Sequence, residues 1–479
     1  MPPAGRILAP MNDRDPLLRT TAELAIDFLD SLPDRPVGPP LDLGALRSSL
    51  GGPLPAEGTD DLAVIEALAR DATPGLIASA GPRYFGFVVG GSVSAALAAD
   101  WLTSAWDQNS GLYALSPAAS VVEEVTASWL LDLFGLPAGS SVGFTTGATM
   151  ANFTALAAAR HRVLERVGWD HEVDGLVGAP PIEVVVGDES HVTIFVSLQM
   201  LGLGRGRVHR VAADGQGRMR ADALRETLAG LDGPVIVCAQ AGNVNTGAFD
   251  PLTEIAEAVR SHANAWLHVD GAFGLWAAAA PGLRDRVDGL ALADSWTTDA
   301  HKWLNVPYDS GIAIVRDAAA HHAAMTLGAA YYVETQGGER DPYNWVPESS
   351  RRARGFAVYA ALRSLGRTGL ADLLERTCAL ARRMADGLRG TPGVTILNDV
   401  VLNQVLVRFE PADGGDADAF TRAVIAAVQA DGTCWLGGTT WHGLAAMRIS
   451  VSNWSTTEAD ADVSVEAILR CLREVAGRT

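Results

Sequence analysis

The chain has 479 residues, of which 48% are hydrophobic and 19% charged, and its formal net charge is −19. That length exceeds what one hydrophobic core organises, so two or three cooperating lobes are expected. The acidic balance and dispersed arginines count against a nucleic-acid partner, and no run reaches the roughly 18 apolar residues that a membrane span requires.

At the amino terminus, MPPAGRILAPMNDRDPLL lacks the basic head and apolar core of a signal peptide. Cys238, Cys378, Cys434 and Cys471 are scattered without a CxxC pair. Reduced thiols in a cytoplasmic protein are the expectation. An amphipathic helix is read over 15–32, followed by the proline- and glycine-rich LPDRPVGPPLDLG and LGGPLPAEG. Such an arm, 1–80, buries little of its own surface and is expected to wrap over a neighbouring lobe or a second subunit.

Short β-rich runs then alternate with helical segments. Candidate strands are 182–188, 207–212, 234–240, 265–271, 293–299 and 311–317. Runs such as PVIVCAQ are apolar on nearly every residue, which predicts strands covered on both faces, as in a mostly parallel sheet between helices. Beyond this α/β unit, read over 81–325, helical segments at 354–366 and 370–390 precede strands near NQVLVRFE and AAMRISVS, with a last helix from about Thr456. A smaller α+β domain over 326–479 is expected.

In open parallel sheets, ligands bind beyond the carboxyl ends of the strands, so the polar residues after each apolar run carry most interest. GFTTGATMANF leads an apolar stretch into a helix through small and hydroxyl residues, Ala148 and Thr149 among them. Open backbone N–H groups there suit a phosphate, and equally an ordinary capped helix. GDESH ends in His191, placed to stack on a flat ligand or to move protons. GNVNTG crowds Asn243, Asn245 and Thr246 between glycines, for turn chemistry or for ligand hydrogen bonds.

AWLHVDG closes an apolar strand on Asp270, a carboxylate that needs a cation or donors if it is enclosed. DAHKW sets Lys302 between His301 and Trp303, where partial desolvation makes the amine a nucleophile toward carbonyl compounds. An amine, a carboxylate for a ring nitrogen, an imidazole for a ring face and a helix N-terminus for a phosphate together match the needs of pyridoxal 5′-phosphate.

With GPRYFGF, SPAASVVEEVTASWLLDLFGLP, TTGATMANF, DESH, LHVDGAFG, DAHKW and SSRRARGFAVYAALRSLGRTG in this order, the chain resembles the group II pyridoxal-phosphate decarboxylases, which act on aromatic amino acids, glutamate, histidine or diaminobutyrate. The resemblance covers most of the chain. It implies a fold-type I homodimer with a mostly parallel central sheet, an amino-terminal arm and a small carboxyl-terminal domain.

It also implies that Lys302 forms the Schiff base, Asp270 keeps the pyridinium protonated and His191 stacks over the ring. Ala148 and Thr149 match phosphate-loop positions, and Asp299 and His301 match further phosphate and active-site contacts. Tyr331, with Tyr332 beside it, matches a loop tyrosine that protonates the carbanion after carbon dioxide leaves. Asn243, in GNVNTG where aromatic decarboxylases carry threonines, is expected as a further cofactor contact. Phe87 and Val88 belong to a segment, PRYFGFVVGGS, poorer in aromatics than the pocket wall of aromatic decarboxylases. The expected activity is decarboxylation of an L-amino acid to the amine. Oxidative deamination to an aldehyde, carbon–carbon lyase chemistry and a cofactor-holding regulatory protein are the alternatives.

Overall fold

The computed structural model describes residues 14–38, 41–326 and 339–477. Its larger sheet has seven strands: β1 (Ser141–Thr145), β2 (Glu183–Gly187), β3 (Val208–Val211), β4 (Val235–Gln240), β5 (Ala265–Asp270), β6 (Ser295–Asp299) and β7 (Gly311–Val315). They lie in the order β1-β7-β6-β5-β4-β2-β3, and only β7 runs against the others. All residues of β4, β6 and β7 are buried: β4 and β7 are near-continuous apolar runs, as strands under two helix layers require, whereas β6, SWTTD, buries polar side chains.

The second sheet is antiparallel: β8 (Val394–Ile396), β9 (Gln404–Phe409), β10 (Gly437–Trp441) and β11 (Leu444–Ser450), ordered β10-β11-β9-β8. Helices Ala417–Asp431 and Glu458–Ala476 cover it around Phe409, Val424, Met447, Ile449 and Ile468. An α/β unit followed by a smaller α+β unit is therefore the observed architecture.

Six strands of the larger sheet fall within a residue or two of the expected runs. Strand β1, foreseen only as an apolar stretch, pairs antiparallel with β7 at the sheet edge. Strands β8 and β10 also escaped the sequence reading, because VTI is three residues long and GGTTW is polar and glycine-rich. The two helices read at 354–366 and 370–390 occupy Gly355–Leu388, broken at Gly366. The four cysteines are buried free thiols. Among the described residues, no helix is long and apolar enough to cross a membrane.

Topology gathers the polar residues at one end of the larger sheet. Strands β1, β2, β5 and β6 share one direction, so Thr145, Gly187, Asp270 and Asp299 end on one edge, where antiparallel β7 begins. Gly311, the first residue of β7, faces the turn before helix Ala148–Glu165. A Cβ on it would lie 2.4 Å from Gly147 backbone atoms, so only glycine lets this helix begin so close to the sheet.

Candidate active site

Lys302 follows β6 in a turn whose neighbour Trp303 is fully buried and donates its indole N–H to Thr377 at 2.9 Å. That anchor presents the lysine outward, with its side chain 21% exposed and Nζ 3.0 Å from Asp299 Oδ2. The other oxygen of Asp299 accepts from the amide of Ala148 at 2.6 Å. Asp299 thus ties the reactive amine to the start of helix Ala148–Glu165, where it also matches the positive end of the helix dipole. The amides of Thr149 and Met150 meet no acceptor among the described residues, which leaves donors for an anion beside Asp299.

Asp270 ends β5 and is 4% exposed. Its carboxylate accepts from Asn152 Nδ2 at 3.1 Å and from the amide of Ala272 at 3.1 Å, with no ion pair among the described residues. A buried carboxylate held by neutral donors alone has room for one cationic N–H.

His191 opens helix Val192–Met200, and its Nδ1 is 2.9 Å from the Thr193 hydroxyl. Accepting that hydrogen leaves the ring proton on Nε2. Burial drives its pKa down from the usual range, and the charges of Lys302 and Arg448 do the same, against the pull of Asp270 and Asp299. His191 is therefore a neutral ring, suited to lying against a flat ligand. His301 accepts from the Ser310 amide at 3.1 Å and stacks on Tyr308 at 4.4 Å, and burial lowers its pKa as well.

The remaining expected residues divide. Asn243 spends its side chain on a turn: Oδ1 accepts from the amides of Asn245 and Thr246, and Nδ2 donates weakly to Glu189 O at 3.4 Å. Turn chemistry, the first of its two readings, accounts for these contacts, which set Asn243 against the loop that carries His191. Phe87 is 64% exposed and stacks on Trp435, whereas Val88 is buried in the core of the larger sheet. Of the pair, Phe87 is the side chain free to face a substrate. Gly90, three residues on, runs against the turn of the lysine, since a Cβ there would fall 2.0 Å from Lys302 O. Tyr331 and Tyr332 lie outside the described residues.

Two contributors were missed in the sequence. Asn152 stood inside a helix read only for its first turn. Arg448, the one charged side chain within the run AAMRIS, sits on β11 with no ion pair among the described residues. Burial lowers its pKa, and its charge is felt at His191. A charge interrupting an apolar alternation was the signal available. Four arginines of the segments GPRYFGF and SSRRARG are otherwise engaged: Arg83 with Pro33 O, Arg351 with Glu123, Arg352 with Asp100 and Arg354 with Asp309.

A nucleophilic amine, an unpaired buried carboxylate, a neutral imidazole and free helix-start amides fit pyridoxal phosphate. Lys302 would hold its carbonyl carbon, Asp270 its ring nitrogen, His191 its ring face and the amides of Thr149 and Met150 its phosphate.

Comparison with known proteins agrees with this fit. The pyridoxal-dependent decarboxylase conserved domain matches residues 45–410. L-2,4-diaminobutyrate decarboxylase of Rhizobium meliloti (strain 1021) is 32% identical over 436 residues, covering 88% of this chain and 84% of the relative. Aromatic-L-amino-acid decarboxylase of Bacillus atrophaeus is 26% identical, covering 83% and 82%. The crystal structure of Oryza sativa TDC with PLP and tryptamine superposes with a TM-score of 0.90 at 24% identity, covering 98% of this chain and 99% of that one, a likeness of fold.

Proposed function

The chain belongs to the pyridoxal-dependent decarboxylase family, and from that membership we propose a specific division of labour among its residues. The enzyme is a carboxy-lyase that converts an L-amino acid to its amine and carbon dioxide with pyridoxal phosphate as cofactor. When bound, the cofactor supplies a conjugated ring that takes up the electron pair left by the departing carboxyl group. Lys302 anchors the cofactor and yields its place to the substrate amine. Asp270 holds the ring nitrogen in its protonated form, and neutral His191 fixes the ring plane. Arg448 meets the substrate carboxylate, because it is a partly buried guanidinium without a carboxylate partner among the described residues. Tyr331 returns a proton to Cα, with Tyr332 and Phe87 at the pocket wall.

The observation that carries this reading is the buried carboxylate of Asp270, which has no cation of its own among the described residues and lies at the end of the sheet where Lys302 emerges. We read 1–80 as an arm at a homodimer interface, 81–325 as the cofactor domain and 326–479 as catalytic loop and small domain, in a cytoplasmic enzyme. The dimer is supported by helices Arg14–Ser31, Leu43–Leu50 and Asp61–Ala72, none of which buries a single residue within the chain.

The test is to incubate the holoenzyme with single α-amino acids, 2,4-diaminobutyrate, aromatic and acidic ones included, and to follow carbon dioxide and organic product by mass spectrometry. Stoichiometric carbon dioxide and amine are expected. Lys302→Ala should abolish turnover and covalent cofactor, and Arg448→Gln should raise KM at least tenfold. An aldehyde with ammonia in place of the amine would transfer the enzyme to the oxidative branch, and a fully active Lys302→Ala variant would refute the site.

A further inference from the structure

Behind Asp270 lies a line of buried polar side chains that neither the cofactor nor the substrate touches in the division of labour above. Trp266, His268 and Asp270 alternate along β5 and so share one face, and Ser295 and Thr297 share the matching face of β6. Helix Ala148–Glu165 packs over that face and contributes Asn152. Asn152, His268, Ser295 and Thr297 are wholly buried and Trp266 is 1% exposed, so each polar atom must find its partner within the group.

Donor and acceptor chemistry leaves one orientation for the whole line. An indole N–H can only donate, so Trp266 donates to Ser295 Oγ at 2.8 Å. From the other end, the Asp270 carboxylate can only accept, so Asn152 turns Nδ2 toward it and Oδ1 toward His268 Nε2, which leaves Nδ1 to accept from the serine hydroxyl 2.9 Å away. With Nδ1 accepting, the imidazole carries its proton on Nε2 and donates to Asn152 Oδ1 at 2.9 Å. Thr297 donates to the same oxygen at 2.7 Å.

Two donors on Oδ1 turn the amide nitrogen the other way, toward Asp270 Oδ2 at 3.1 Å and Thr193 Oγ1 at 3.4 Å. Thr193 in turn serves Nδ1 of His191. A flipped amide would set Oδ1 against the carboxylate and its N–H groups against two donors. Burial pushes the pKa of His268 down to about 3, so this imidazole is neutral over the working range and keeps both its roles.

We propose that Asn152 is a positioning residue which, oriented by His268 and Thr297, holds Asp270 anionic toward the cofactor ring nitrogen and at the same time sets His191 against the ring face. The proposal rests on the placement of pyridoxal phosphate between Lys302, Asp270 and His191. Its distinctive consequence is that a side chain remote from the substrate controls the protonation of the ring nitrogen and the grip on the cofactor together.

The experiment loads the wild type and the Asn152→Ala, Thr297→Val, His268→Gln and His268→Leu variants with pyridoxal phosphate labelled with nitrogen-15 in the ring. The ring-nitrogen NMR shift, the cofactor dissociation constant, and kcat and KM are then read for each. Asn152→Ala should weaken cofactor binding about 10- to 100-fold, the worth of a lost hydrogen bond to a charged group, and move the ring nitrogen toward its unprotonated shift. His268→Leu and Thr297→Val should move it the same way by less. His268→Gln, whose amide N–H can take the place of Nε2–H, should restore it. The kcat should fall more than KM rises.

Should Asn152→Ala unfold, the milder Thr297→Val and His268 variants still decide the matter. An unchanged ring-nitrogen shift in the folded variants overturns the proposal while the site stands, provided that Lys302→Ala has lost the absorbance of lysine-bound cofactor. Retention of that absorbance by Lys302→Ala overturns the site and the positioning role together.

Discussion

His321 shows how strongly a single enclosed residue can couple this fold to pH. It is wholly buried, with Nε2 3.0 Å from Trp345 O and Nδ1 2.8 Å from Ser141 Oγ, and burial pushes its pKa down to about 3. In the unfolded chain an imidazole titrates near 6.5. Below about pH 6.5, then, the unfolded chain binds a proton that the folded chain refuses until about pH 3. Stability is complete above that window and falls with pH inside it, by up to about 1.4 kcal/mol per pH unit for this group. His321→Gln keeps a donor for Trp345 and removes the titration. Its unfolding free energy, measured in denaturant between pH 4 and 6, should depend on pH less steeply than that of the wild type by up to about one proton. Equal slopes would mean that His321 is protonated in the folded chain.

At the level of elements, the carboxylate of Glu123 acts as a joint. It lies on helix Pro117–Phe134, is 1% exposed and meets Arg351 Nη1 at 2.5 Å. Arg351 also donates to Phe144 O at 2.6 Å and Ser110 O at 3.0 Å. Arg340 bonds Val142 O, lies over the Trp345 ring at 5.0 Å and reaches Glu123 Oε2 at 4.0 Å. Burial lowers the pKa of Arg340 to about 10, while Glu123 resists that fall. Helix, edge strand β1 and the segment after residue 338 are thus joined through one carboxylate and two guanidiniums. Glu123→Ala would leave both cations enclosed and uncompensated, which should destabilise the fold by about 3–5 kcal/mol. Denaturant unfolding checks this, and a loss below about 1 kcal/mol would mean that water reaches the arginines.

On the scale of the whole molecule, apolar surface is left over. Helix Ser94–Trp106 exposes Trp101, Leu102 and Trp106 at 40%, 49% and 48%, and helix Arg14–Ser31 exposes Leu18 and Ile26 at 62% and 49%. An isolated chain would have little reason to keep two large indoles on one exposed helix, and a symmetric partner would cover them. Sedimentation should therefore return about twice the 50.2 kDa chain mass at micromolar concentration. Leu18→Asp with Ile26→Asp should shift the population toward monomer, and a wild type that sediments as a monomer would remove the homodimer.

Much of this was legible in the order of residues. Period and apolarity revealed six strands of the larger sheet, because strands buried on both faces are mostly apolar and the polar residues they do carry stand out. Lys302, Asp270 and His191 stood out because each is a costly residue type at the end of such a run. Tertiary structure decided what one-dimensional spacing does not encode. It placed β1 at the sheet edge beside β7, although the two are the first and last strands of that sheet in sequence. It assigned Asn243 to a turn, hid Val88 in the core and paired Arg351 with Glu123. It also brought Asn152 from a helix interior to Asp270, 118 positions away. Burial can be read from local pattern, but a hydrogen-bond partner exists only once distant strands and helices have packed, and those partners orient the carboxylate and imidazole of this site.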